Sequence, residues 1–88
     1  MCFMISQTVP VVGAAKGGAG WFPITAVNVG FDHATGSQLD HAVLLDFVDP
    51  QRGPAGRVAV ELDVDSARAL VAALQSVIEA AEHAGAAA

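Results

Sequence analysis

Two runs of alternating apolar residues, Phe22–His33 and Asp40–Asp49, constrain this chain more than any other feature. Set antiparallel with His33 opposite His41, they bring Phe31 to Val43, Val29 to Leu45, Val27 to Phe47 and Thr25 to Asp49. Side chains alternate faces along a strand, so these pairs all belong to one face of one register. A slip of one residue would turn the whole apolar set to the other face, which makes the register well specified. The polar stretch Ala34–Asp40 is then the hairpin loop, and two imidazoles stand side by side where the strands enter it.

The chain has 88 residues, the length of one small domain. Residues 1–85 read as a single domain and 86–88 as a tail. With 53% hydrophobic residues it has the material for a core. Its formal net charge is −5, with four Lys plus Arg, so no basic footprint for nucleic acid or an anionic membrane is present. No apolar run approaches the roughly 20 residues of a membrane span. The opening MCFMISQTVP lacks the basic and long apolar regions of a secretory signal. Cys2 is the single cysteine, so an intrachain disulfide is excluded and a cytoplasmic location is the expectation.

Cys2–Val12 is the first expected strand, with Pro10 marking an edge or an end. Gly13–Gly20 reads as a flexible connection, with Trp21 and Phe22 anchoring its far end in the core. Lys16–Gly20 is superficially like a phosphate-binding loop. That motif needs Lys and Ser or Thr where this chain has Trp21 and Phe22, and a helix where this chain has a strand. Pro50–Gly56 is a turn rich in Pro and Gly. Arg57–Asp63 is the fourth strand, with Val58, Val60 and Leu62 inward.

From Val64 to Ala84 the period changes. Ala67, Leu70, Val71, Leu74, Val77, Ile78 and Ala81 recur at helical spacing and make one apolar stripe. Asp63 or Asp65 supplies the N-cap and Gly85 the stop. The whole predicts a two-layer α+β fold: a four-stranded, mainly antiparallel sheet followed by one C-terminal helix (ββββα), with the stripe packed on the sheet. The face carrying Ala26, Leu44 and Val48 is then left over, and the expectation is a homo-oligomer, a dimer or larger, joined there.

Met1-Cys2, Gly20-Trp21-Phe22-Pro23, Phe31-Asp32-His33 with His41 eight residues on, and Arg52-Gly53-Pro54 leading to Arg57–Leu62 together resemble a family of short, mostly actinobacterial proteins known only as a domain of unknown function. The resemblance spans nearly the whole chain and implies no activity or cofactor. One position departs from it: Ala34 stands where Pro is expected after Phe31-Asp32-His33.

Three residues carry the sharpest chemistry. If Cys2 pairs opposite His33, a thiol and the imidazoles of His33 and His41 share one end of one face. Thiolate and imidazole are ligands for zinc or copper. Asp32, Asp40 and Asp46 could orient an imidazole from behind. The expected function is metal binding by a small oligomeric protein, with no catalytic residue assigned. The alternative is a metal-free accessory protein, or a small-molecule binder, that uses its sheet face for a partner. Asn28 and Asp46, opposite each other on that face, read as a polar pair rather than a catalytic one.

Overall fold

The computed structural model describes residues 5–85. Five elements and a short helical turn follow in order: β1 (Ile5–Gly17), β2 (Gly20–His33), β3 (His41–Val48), a 3-10 turn (Pro50–Ala55), β4 (Arg57–Leu62) and α1 (Val64–His83). The four strands form one antiparallel meander in the order β1-β2-β3-β4. The ββββα order and the antiparallel sheet are those the periodicities specify.

The central hairpin has the register expected from its apolar pairs. Val27 faces Phe47, Val29 faces Leu45, Phe31 faces Val43 and His33 faces His41. The ladder ends at Ala26 and Val48, one step short of Thr25 with Asp49. Asp49 leaves the sheet instead. Its buried side chain accepts a hydrogen bond from the N–H of Gln51 and so caps the 3-10 turn.

Strand β1 is longer than its sequence suggested. Gly13–Gly17 continues the strand against Gly20–Ile24, and the connection is only the two residues Gly18 and Ala19. The register shifts between Pro10 and Gly13, where three steps of β1 oppose two of β2. Proline has no N–H to give the ladder, so a bulge on an edge strand is where it fits. Val12 projects from this bulge fully into solvent. At the far end of the hairpin Phe22 is buried, whereas Trp21 is 70% exposed, so only the first of the two anchors it.

Parity sorts the side chains into two faces. Val27, Val29, Phe31, Val43, Leu45, Phe47, Val58, Val60 and Leu62 share the first. Ala26, Asn28, Leu44, Asp46, Ala59 and Glu61 share the second. The buried residues Phe22, Ile24 and Ala42 lie on the second face, and the 3-10 turn packs there, with the Arg52 guanidinium 5.9 Å from the centre of the Phe22 ring. Gly30 permits close passage of β1: a Cβ at this position would stand 2.7 Å from the carbonyl oxygen of Ile5.

The helix begins where capping chemistry puts it. Asp63 accepts from the N–H of Ser66 at 2.7 Å. The hydroxyl and then the N–H of Ser66 hold the Asp63 carboxyl below its ordinary range. Gly85 closes the other end at φ 73°. The apolar stripe, however, is not spent on the sheet as expected. The helix adjoins β3, yet Leu70, Val71, Leu74, Val77 and Ile78 remain 41–66% exposed. Only the small residues Ala67 and Ala81 of the stripe are half-buried. Side chains of that kind that touch little of their own chain leave the helix's apolar face unsatisfied.

Candidate functional site

His33 and His41 close the β2–β3 ladder as its last pair. Their rings stand 4.4 Å apart between centroids, tilted by 33°. Phe31 lies on the same face and stacks on His41, 5.7 Å away at 17°. Both imidazoles are exposed, and the backbone closes behind them through a 3.3 Å hydrogen bond from the Ala34 N–H to the Asp40 carbonyl. Two directly opposed residues have Cβ atoms about 4.5–5.5 Å apart. Imidazoles at such a spacing can reach one ion at about 2.0–2.1 Å per bond.

The third expected ligand, Cys2, lies outside the described residues. Its expected place opposite His33 would set Ile5 against Gly30; Ile5 faces Phe31, so β1 runs one residue out of that register. Among the described residues no group of three or more His, Cys, Asp or Glu is gathered to hold an ion. Two of the three aspartates expected behind the imidazoles, Asp32 and Asp46, do other work. Asp32 accepts from the backbone N–H of His33 at 2.7 Å, and its parity puts it on the opposite face. Asp46 takes the Nε of Arg57, 2.8 Å from each carboxylate oxygen.

The second face forms a trough of about 400 Å³ over Asn28, Gly30, Leu44, Asp46, Arg57 and Ala59. Asn28 and Asp46 are ladder partners, as expected. Their side chains nevertheless turn to other residues: Asn28 accepts from the Thr8 hydroxyl at 2.8 Å, while Asp46 holds Arg57. The face expected to be a subunit contact is therefore concave and half-buried. Thr35 of the Ala34–Asp40 loop lines it as well.

Glu61 fastens that loop. Oε1 accepts from the N–H groups of Gly36 and Ser37 at 3.0 and 2.8 Å, and Oε2 from the N–H and hydroxyl of Thr35 at 2.8 and 3.1 Å. The Thr35 N–H leads in lowering the Glu61 pKa from 4.5 to about 2; the Gly36, Ser37 and Thr35 hydroxyl bonds add to it against partial desolvation. Residue type alone does not single out Glu61 on the fourth strand. The available signal was parity: Glu61 sits opposite Leu44, on the face toward which the loop folds.

Residues 1–87 match the model of a family of unknown function, DUF6295. The chain belongs to that family. No curated protein and no solved structure matches it. The resemblance read from the Gly20–Pro23, Phe31–His33 and Arg52–Pro54 runs is thus to a real family, and the two histidines and the trough are features of one of its members. No helix among the described residues is long and apolar enough to cross a membrane.

Proposed function

We propose that this protein is a cytosolic homo-oligomer that holds a transition-metal ion, zinc or copper, on the imidazoles of His33 and His41. The observation that carries the reading is the placement of the two rings side by side at the open end of the sheet, 4.4 Å apart and tilted by 33°. A strand pair fixes the backbone beneath both ligands, so little is lost in ordering them when an ion arrives. Phe31 restrains one ring by stacking. Two imidazoles leave coordination positions for a residue of another copy or for water, and imidazole nitrogen donors favour zinc or copper over harder ions. Ligating imidazoles must be deprotonated, so acid competes with the ion. Formal net charge −5 supports a partner other than nucleic acid.

The test is metal content. Protein purified without chelators and then dialysed against zinc should carry ion in a fixed ratio to chain by elemental analysis, and its thermal midpoint should rise with zinc concentration. Protein that takes up no zinc or copper above the level of a His33→Ala, His41→Ala double variant overturns the metal reading.

One observation favours a second reading, a small-molecule binder. Asp46 holds Arg57 by its Nε and not by its terminal nitrogens, and Arg57 lines the trough. Oriented in this way, an arginine suits a ligand with a planar oxygen acceptor. Saturable binding of a small carboxylate or amide, lost in Arg57→Ala and indifferent to zinc, would favour this reading over the first.

A further inference from the structure

The surface of this chain is too large for its mass. It exposes 6639 Å², whereas a folded monomer of 8.9 kDa exposes about 4,800 Å². The excess is about 1,800 Å². Its radius of gyration is 14.6 Å, against about 12 Å for a compact domain of this length. Among the described residues the buried apolar ones are Phe22, Ile24 and Ala42, a small core for a chain that is 53% hydrophobic. Permanent subunit contacts bury about 1,000–2,500 Å² on each partner. The excess surface falls in that range.

Most of the exposed large apolar side chains are on one element. Leu70, Val71, Leu74, Val77 and Ile78 of α1 are all on its stripe. No charged residue interrupts it: Asp65, Arg68, Glu79 and Glu82 lie off it. The stripe is also symmetric about Leu74. Leu70 and Ile78 stand four residues to either side, Val71 and Val77 three, Ala67 and Ala81 seven. Reversing the direction of the helix maps the apolar stripe onto itself. A two-fold contact needs such self-complementarity, because the same patch must serve both subunits.

We infer that α1 is the dimer interface, packed antiparallel against α1 of a second copy with Leu74 on the two-fold axis. Leu74 then meets Leu74 of the partner subunit, Leu70 meets Ile78 of the partner subunit, and Val71 meets Val77 of the partner subunit. The spacing Ala67, Leu70, Leu74, Val77, Ala81 alternates three and four residues, the pattern of a shallow helix crossing. Alanine at both ends allows the axes to approach. Opposed macrodipoles suit the antiparallel sense. This inference rests on the oligomeric half of the proposed function and names the surface; it is independent of the metal.

The experiment is sedimentation equilibrium with site-directed cross-linking. The wild-type chain at micromolar concentration should weigh twice 8.9 kDa, and Leu74→Lys should halve that mass while far-ultraviolet circular dichroism keeps its strand signal. In a Cys2→Ser background, Leu74→Cys should form an intermolecular disulfide under mild oxidation, since Cα atoms at the axis come within the few ångströms a disulfide needs. Gln75→Cys, off the stripe, should not. The cross-link reads the contact even if Leu74→Lys fails to fold. A monomeric wild type overturns both the interface and the oligomeric reading. A dimer that ignores Leu74→Lys and gives no Leu74→Cys cross-link overturns the helix interface alone, and dissociation by Leu44→Lys in that case would assign the contact to the trough face.

Discussion

Glu61 holds Thr35 twice, through the backbone N–H at 2.8 Å and the hydroxyl at 3.1 Å, across a separation of 26 residues. The carboxylate depends on its charge for this, because protonation would turn one oxygen into an O–H donor facing groups that themselves donate. Its folded pKa of about 2 lies below the ordinary 4.5. A depressed carboxyl stabilises the fold above its ordinary pKa, and that contribution is lost as pH falls from 4.5 toward 2. The loop should therefore stay fastened through mild acid and loosen only near pH 2. A titration following the Glu61 carboxyl carbon and the amides of Thr35, Gly36 and Ser37 by NMR should show one shared midpoint near 2. A midpoint at the ordinary carboxylate value would mean that the clamp is not closed in solution.

Glu61→Gln tests the same clamp at neutral pH. Glutamine keeps one carbonyl oxygen and places an NH2 group where the second oxygen was, facing N–H groups that can only donate. Either Thr35 or the Gly36–Ser37 pair then loses its acceptor. Amide exchange should quicken at the released residues, while the β2–β3 ladder from Ala26 to His33 keeps its protection. Loss of protection across the whole sheet would instead make Glu61 part of the global fold.

Gly30→Ala sets two effects of opposite sign against each other. Replacing Gly by Ala stiffens the unfolded chain, worth about 0.4–1 kcal/mol where the native backbone accepts it. At Gly30 the new Cβ would stand 2.7 Å from the Ile5 carbonyl oxygen, and backbone cannot swing aside as a side chain does. Overpacking of this kind costs about 1–3 kcal/mol, so the net change should be destabilising. Gly36→Ala is the contrast, with its nearest neighbour at an ordinary 3.6 Å. Denaturant midpoints should fall for the first and hold for the second; equal midpoints would show that β1 can move away from β2.

What the sequence made legible follows from which forces are local. The register of β2 on β3 could be read because three apolar pairs agree and a slip would invert them all. The helix ends could be read because Asp63 and Gly85 satisfy groups within a few residues of themselves. The length of β1 could not, since its GAAKG stretch has the composition of a turn and is a strand only because β2 pairs with it. The Glu61 clamp stayed hidden because its partners are 24–26 residues away and three of its four donors are backbone N–H groups, which leave no trace in residue type. The helix stripe was seen, but a stripe records that an apolar face exists and not whose surface covers it. His33 beside His41 was legible as a consequence of the register; Asp32 and Asp46 as supports for the imidazoles were not, because parity sends both to the trough face.

The histidine pair gives the last prediction. If one ion sits on both imidazoles, the two ligands are equivalent in kind, and His33→Ala and His41→Ala should each abolish stoichiometric zinc uptake rather than halve it. A site of two side chains loses its chelate character when either goes, and a single exposed imidazole holds zinc only weakly. Phe31→Leu makes a finer test. It removes the ring stacked on His41 at 5.7 Å while leaving both ligands in place, so uptake should persist at a reduced affinity. The double variant His33→Ala, His41→Ala should match the single ones, the non-additivity expected of residues that act as one unit. Isothermal titration with zinc across the four proteins reads all of these. Single variants that each retain half of the bound ion would show two independent imidazoles, and the shared site would be abandoned.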